Sequence, residues 1–339
     1  MNFKGRLTIA EVAREAGVSS QTVSRVLNDR PDVSPDTRHH VKQIINQLGY
    51  QPSAIARSLA SQRTRTLGLI TADFSDYFFT QVIAGAEVEA RKHGYFFMLG
   101  STERNPQDEP EYIRLLAEHH VQGMLFARPS TEPDNRHLLG LLRDGVPVVT
   151  TAYHLPGAQL TVVDVDNVDG ARQATSYLLE CGRRAVAMIS GPRGWKSVVD
   201  RTQGYRLALE AAGLSFEPRL VAEGDWSYRS GYQAVQQLLA REVSFSALFA
   251  QNDQMAIGAI RALREAGRPV PHEVAVVGYD DIPAAEYCDP PLTTVRQPMQ
   301  EVGKVATQLL IQAIEEPGPV QGPVLLQTEL IRRGSCEDR

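Results

Sequence analysis

Ser20, Gln21, Ser24, Arg25 and Asn28 fall on one face of a short helical stretch, and their side chains are the types that read base edges: arginine for guanine, glutamine for adenine, serine for either. A second group lies far along the chain. Arg201 and Asp280 would offer bidentate donors and carboxylate acceptors, and Trp226 an apolar platform, which together suit a sugar's hydroxyls and its C–H face. Structural alternatives stand beside each: Arg201 pairing with Asp200 or Asp281, Trp226 as core, Asp253 as a helix cap. Catalytic signatures fail. Gly191-Pro192-Arg193-Gly194-Trp195-Lys196-Ser197 approaches a phosphate-binding loop, but Trp195 separates Gly194 from Lys196 and breaks the GxxxxGK[ST] spacing. No GxSxG, HExxH or CxxC occurs. His39-His40 and His119-His120 are adjacent pairs that point to different helix faces and cannot chelate as i,i+4 ligands do. The expectation is no enzyme, no cofactor and no metal.

The base-reading residues need a frame. Thr8-Ile9-Ala10-Glu11 fits a capping box that opens a helix over about 9–16 with Val12, Ala13 and Ala16 inward. Gly17 makes the turn, Val18 plugs the core, and Ser19 caps a second helix whose inner face is Val23, Val26 and Leu27. Two short helices joined at a glycine form a helix-turn-helix pattern. Ser34-Pro35-Asp36 starts a third helix, carrying Val41, Ile44, Ile45 and Leu48 and stopping at Gly49. Residues 54–60 form an Ala-rich helical stretch too short to be stable alone, reading as a linker that orders when docked or as an inert one.

Charge separates the same two regions. Residues 1–65 hold ten Lys or Arg against five Asp or Glu, whereas the remainder holds 25 against 35, so a basic head joins an acidic body of a 339-residue chain with net charge -5. That asymmetry suits a small module meeting a polyanion. Hydrophobic residues at 42% can fill several cores. Cys181, Cys288 and Cys336 are odd in number and far apart, which fits a reducing cytoplasm. No apolar run spans a membrane, and the first residues lack a signal-peptide core.

From Thr66 onward apolar runs at 66–72, 95–101, 122–127, 147–152, 160–165, 185–190, 219–223, 246–250, 274–278 and 293–296 read as strands. Helical patterns at 79–93, 109–120, 168–181, 202–213, 229–240, 254–266 and 299–314 lie between them. Such alternation predicts parallel sheets covered by helices, and ten strands call for two sheets. Ligands bind beyond the carboxyl ends of open parallel sheets. Asp73-Phe74, Tyr77-Phe78-Phe79, Asn252-Asp253 and Tyr279-Asp280-Asp281 end these runs and become the candidates.

The head sequence, from Thr8-Ile9-Ala10-Glu11-Val12-Ala13 through Gln21-Thr22-Val23-Ser24-Arg25-Val26-Leu27-Asn28 to Leu48-Gly49-Tyr50 and Pro52–Leu59, resembles the lac repressor family of bacterial transcription regulators. Gly224-Asp225-Trp226-Ser227, Asn252-Asp253-Gln254-Met255-Ala256, Val277-Gly278-Tyr279-Asp280-Asp281 and Pro291–Gln297 extend the resemblance through the body. It implies a small all-α helix-turn-helix head and an α/β body of two doubly wound parallel-sheet subdomains, similar to periplasmic sugar-binding proteins. The division is 1–52 head, 53–65 hinge helix and linker, 66–339 effector-binding and dimerisation body. The resemblance implies DNA contacts at Thr8, Ser19, Ser20, Gln21, Thr22, Ser24, Arg25, Asn28, Ala56 and Leu59, with Leu59 as a minor-groove wedge. Effector contacts follow at Phe74, Tyr77, Phe78, Arg201, Trp226, Asn252 and Asp280. Where the lac repressor places an acidic sugar contact this chain has Ala152, which leaves the particular sugar open. The expected protein is a cytoplasmic homodimer that binds a palindromic operator and responds to a sugar inducer, with a purine-type corepressor as the alternative and a solute-binding receptor as a distant one. With no apolar heptads after Ile331, a tetramerising coiled coil is not expected.

Overall fold

The computed structural model describes residues 7–50, 63–127, 136–151, 160–316, 318 and 322–337. Two compact units divide between Thr64 and Arg65. The hinge positions Ala56 and Leu59, and Ala152 in the body, lie outside the described residues.

In the first unit α1 is Ile9–Glu15, α2 Ser20–Leu27 and α3 Pro35–Leu48. Their ends are set by side chains. Thr8 Oγ1 accepts from the Glu11 amide at 3.3 Å while the Glu11 carboxylate accepts from the Thr8 amide at 2.6 Å, the reciprocal box expected. Ser19 Oγ caps α2 through the Thr22 amide at 3.0 Å, and Ser34 Oγ caps α3 through Thr37 at 3.2 Å. Gly17, at φ +62°, supplies the left-handed turn between α1 and α2. Val12, Ala13, Ala16, Val23, Val26 and Val41 make the buried core.

The second unit has two lobes. In the first, β1 (Thr66–Thr71), β2 (Phe96–Ser101), β3 (Met124–Ala127), β4 (Val148–Thr151), β5 (Thr161–Val165) and β11 (Val324–Leu326) form a six-stranded parallel sheet in the order β11-β5-β4-β3-β1-β2. In the second, β6 (Val186–Ser190), β7 (Val221–Glu223), β8 (Ala247–Ala250) and β9 (Ala275–Val277) form a parallel sheet in the order β7-β6-β8-β9. A correction concerns β10 (Thr294–Arg296): it joins neither large sheet as a ladder strand but pairs antiparallel with β12 (Glu329–Ile331). The sequence reading lacked β11 and β12, which are three residues each and leave no room for a periodic pattern.

The helices are α4 (Tyr77–Lys92), α5 (Glu109–Glu118), α6 (Arg136–Arg143), α7 (Asn167–Glu180), α8 (Lys196–Ala211), α9 (Tyr228–Ala240), α10 (Asp253–Glu265), α11 (Pro283–Tyr287) and α12 (Met299–Glu315). The helix expected at 202–213 begins six residues earlier, at Lys196, directly after the loop that resembles a phosphate cradle. In the first lobe α4 lies against α12 at backbone contact. A Cβ at Gly303 would overlap the Val82 carbonyl, and one at Gly85 the Gln300 carbonyl, so glycine is required at both. The chain passes between lobes three times, from β5 into α7, from β10 into α12 and from β11 into β12. Among the described residues no helix is long and apolar enough to cross a membrane.

Candidate functional site

The carboxyl ends of β1, β5, β6, β8 and β9 face a cleft whose wall is drawn from both lobes. Its wall takes Asp76, Phe78 and Phe79 from the first lobe, Asp164, Val165, Asn167 and Gln297 from the crossing segments, and Trp195, Ser197, Arg201, Trp226, Asn252 and Asp280 from the second.

Arg201 is the anchor of the second-lobe wall. It projects from α8 and is 5% exposed. Its Nε donates to Asn167 Oδ1 at 2.8 Å, Nη1 donates to the Gln251 carbonyl, and the guanidinium lies 3.8 Å from the Tyr279 ring centroid. Asp280 Oδ1 sits 3.8 Å from Nη1, an ionic but not hydrogen-bonding separation, and accepts from Gln297 Nε2 at 2.6 Å. The two alternative partners are used elsewhere: Asp200 binds Lys196, and Asp281 binds Arg296 at 2.7 Å and Arg333 at 2.6 Å. Asp280 has φ +114° and its neighbour Asp281 φ +55°, a strained pair at the end of β9. Burial, reinforced by Asp76, pushes the Asp280 carboxyl up to about 7 against the pull of Arg201.

Behind it, Asp253 is fully buried, accepting from Thr294 Oγ1 at 2.5 Å and from the Ile282 amide at 2.9 Å; burial drives its carboxyl well above the usual range. The cap of α10 is Asn252, not Asp253. Asn252 Oδ1 accepts from the Met255 amide at 2.8 Å and its Nδ2 donates to the Trp226 carbonyl at 2.9 Å. Both ends of that amide therefore have protein partners, and Asn252 holds Trp226 in its left-handed conformation at φ +75°. Trp226 is both wall and core, with its buried Nε1–H lacking an acceptor among the described residues.

Four rings line the cleft in succession. Phe78 and Phe79 are 5.3 Å apart at 83°, Phe79 and Trp195 6.4 Å at 49°, Trp195 and Trp226 5.3 Å at 56°. Two of the aromatic candidates read from sequence are elsewhere. Phe74 is 42% exposed and does not line the cleft, and Tyr77 lines a neighbouring groove with Asp281 and Arg296. The contributors that sequence reasoning missed are Asp76, Asp164, Val165, Asn167, Trp195, Ser197 and Gln297. The failed phosphate loop explains Trp195: Gly191 leaves room for the Trp226 ring, which an added Cβ would overlap, and the loop delivers Trp195 to the wall. Lys196 then reaches Asp164 at 3.2 Å and Asp200. Burial raises the carboxyls of Asp164 and Asp76, opposed by Lys196 and Arg104 respectively. Arg104 touches both lobes. It donates to Asp73 Oδ2 at 2.9 Å, approaches Asp76 at 3.5 Å and reaches the Asp225 carbonyl at 3.4 Å. No cluster of three or more His, Cys, Asp or Glu among the described residues is arranged to hold a metal ion.

In the head, Ser20, Gln21, Arg25 and Asn28 of the α2 region are exposed and Ser24 is half-buried. Arg25 Nη1 is 3.4 Å from Asp32, both half exposed, a contact that costs little to exchange for a base or phosphate. Asn28 Nδ2 donates to the Ser24 carbonyl at 2.8 Å. Thr8, Ser19 and Thr22 work locally: the first two cap helices, and the Thr22 hydroxyl bonds Ser19 Oγ at 2.9 Å.

Two family models match the chain: bacterial regulatory proteins, lacI family, over residues 8–53, and a periplasmic binding protein-like domain over 175–336. It is 40% identical over 344 residues to the HTH-type transcriptional regulator CelR of Thermobifida fusca, covering 99% of this chain and 100% of that one. It is 34% identical to the HTH-type transcriptional repressor CytR of Escherichia coli (strain K12), covering 97% and 96%. Among solved structures it resembles a transcriptional regulator CelR–cellobiose complex, at 38% identity, TM-score 0.75 and 97% and 100% coverage. A lac repressor dimer bound to operator and the anti-inducer ONPF matches at 29% identity, TM-score 0.89 and 98% and 99% coverage.

Proposed function

Because the chain belongs to the lacI family of bacterial regulatory proteins, we propose that its cleft holds an oligosaccharide of the cellobiose kind, which releases the head from operator DNA. The protein is a sequence-specific DNA-binding transcriptional repressor under small-molecule control. Residues 1–52 serve as the DNA-binding domain, 53–65 as hinge and linker, and 66–339 as the effector-binding and dimerising body.

The observation that carries the sugar reading is the shape of the aromatic wall. No two successive rings among Phe78, Phe79, Trp195 and Trp226 are parallel, so the wall they form is faceted and not a flat stacking face. Tilted rings instead face different C–H patches of puckered, linked pyranose units, and Asp76, Asp164, Asp280 and Arg201 stand beside them to bond hydroxyls. Arg201, Asp280, Trp226 and Phe78 are the assigned contacts, Phe79 and Trp195 join them, and Asn252 positions Trp226. In the head, Gln21 and Arg25 read bases, with Ser20, Ser24 and Asn28 beside them. A single recognition helix makes too few contacts for tight specific binding, so two copies on a palindromic site complete the reader.

Fluorescence anisotropy of a labelled operator, isolated by selection from random duplex DNA with the full-length protein, tests this. Addition of cellobiose is expected to lower operator affinity. A rise in affinity on adding hypoxanthine or guanine, with no response to cellobiose, would replace the sugar inducer with a purine corepressor.

A further inference from the structure

We propose that the cleft admits uncharged, hydroxyl-rich ligands and rejects anionic ones, so that the effector is a neutral oligosaccharide and not a sugar phosphate, a uronic acid or a nucleotide; this rests on the effector-cleft reading above. Three carboxylates, Asp76, Asp164 and Asp280, stand in the wall, against one wall cation, Arg201. The cations behind the wall do not redress the balance, because each is shared between two acids. Arg104 serves Asp73 at 2.9 Å and Asp76 at 3.5 Å. Lys196 serves Asp164 at 3.2 Å as well as Asp200. Arg201 faces Asp280 at 3.8 Å. Five carboxylates thus stand against three cations.

Helix N-termini do not change the sign. Those of α4, α7 and α10 are already capped by Asp76, Asp166 and Asn252. The α8 terminus lacks a side-chain cap, but its first residue, Lys196, is held by Asp164 and Asp200. An entering phosphate or carboxylate would meet like charges at low solvation, with Arg104 and Lys196 already paired with acids. A neutral hydroxyl does the opposite. Ionised carboxylates only accept hydrogen bonds, and a sugar O–H supplies a further donor to lone pairs that the protein leaves open. Burial is the main cause that raises the carboxyls of Asp76, Asp164 and Asp280.

A near-isosteric pair separates charge from shape: cellobiose, and cellobiouronic acid, in which a carboxylate replaces one hydroxymethyl group. Calorimetric titration of the full-length protein at pH 7.5 is the readout, with cellobiose 6′-phosphate, glucose 6-phosphate and uncharged cytidine as further ligands. Cellobiose is expected to bind, and the acid to bind at least ~100-fold more weakly, as suits an unpaired charge brought beside like charges in a desolvated site. Acid or phosphate binding within tenfold of cellobiose, or tighter, would overturn the inference while leaving the cleft as the effector site. Binding of cytidine alone would retire the sugar reading and keep charge selection. No binding by any ligand would remove both. The variant Asp76→Asn keeps the α4 cap, since asparagine caps as well as aspartate, and deletes one wall charge. Its acid-to-neutral affinity ratio is expected to narrow about tenfold, matching one removed charge–charge contact at an effective dielectric well above that of a dry interior; an unchanged ratio would assign the discrimination to shape and overturn the proposal.

Discussion

Replacing Asp280 by asparagine should make the ligand-free protein more stable at pH 8, although it removes an ion-pair partner of Arg201. The carboxyl is carried from its ordinary 3.8 up to about 7, chiefly by burial, with Asp76 adding to the rise and Arg201 and Gln297 opposing it. Below about pH 3.8 both the folded and unfolded forms hold the proton and the group contributes nothing. Between about pH 3.8 and 7 the unfolded chain has shed a proton that the native state still holds, so stability is lost across that window and levels off above it. A rise from 3.8 to about 7 corresponds to about 4 kcal/mol by pH 8. Asp253 lies behind Asp280 and shares the strain, so part of this cost stays in the variant and a gain of about 1–3 kcal/mol is expected. Asparagine keeps the oxygen that accepts from Gln297 and the steric outline of the site. The assay is urea unfolding followed by tryptophan emission, because both tryptophans, Trp195 and Trp226, stand in the cleft wall and report on the body alone. The gain should shrink to about 1 kcal/mol or less at pH 4.5. An asparagine variant that is less stable than the parent by the same amount at both pH values would refute the reasoning, since attraction to Arg201 would then outweigh burial.

Arg25→Ala should cost roughly 1–3 kcal/mol on the best operator and far less on scrambled DNA, measured by anisotropy; equal losses on both would make Arg25 a phosphate contact and not a base reader. Gly191→Ala drives a Cβ into the Trp226 ring, so calorimetry should show a loss of cellobiose affinity of at least tenfold with operator binding in the absence of ligand preserved. Gly303→Ala places a Cβ on the Val82 carbonyl and forces α4 from α12, which should lower stability by about 1–3 kcal/mol in thermal unfolding.

The parts of this architecture that were legible in the sequence are those with long periodic signals or local chemistry. Thr8 and Glu11 specify a cap within four residues, and Val186–Ser190 or Ala247–Ala250 read as buried strands because parallel sheets covered on both faces need continuous apolar runs. Short elements carry no such signal. Val324–Leu326 sits after a Pro- and Gly-rich stretch and is an apolar run of only three residues, yet completes the edge of the six-stranded sheet. In α6, Gly140 interrupts a pattern whose Leu138 and Leu141 do reach the core. The cleft was half legible. Arg201, Trp226 and Asp280 come from motifs at strand ends, whereas Trp195 was hidden in a loop judged only against phosphate binding. Asp164 was hidden inside an apolar run, where a carboxylate reads as a strand residue until the crossing turns it into the wall. Phe74 and Tyr77 differ from Phe78 and Phe79 by a few positions in sequence, but the turn into α4 sends them out of the cleft. Sequence distance does not resolve such a turn.

The carboxylates of the cleft wall are suited to drive the response. A ligand changes operator affinity only by as much as it prefers one arrangement of the body to another, and a swing from 1:99 to 99:1 needs about 5.5 kcal/mol of such preference. Contacts confined to one lobe are made equally in every arrangement and contribute none. The proposed contacts are divided: Asp76, Phe78 and Phe79 belong to the first lobe, Asp164 to the crossing strand, and Trp195, Arg201, Trp226 and Asp280 to the second. Hydrogen bonds to charged groups are worth about 1.5–3 kcal/mol each. Two to four that form only when both lobes reach the same ligand would therefore supply the whole swing. A cleft with satisfied, solvated carboxylates would bind sugar with less at stake and shift the equilibrium less. Asp280, strained in its backbone and buried beside Asp76, is costly to the protein, and further hydrogen bonds from a hydroxyl-rich ligand would offset that cost.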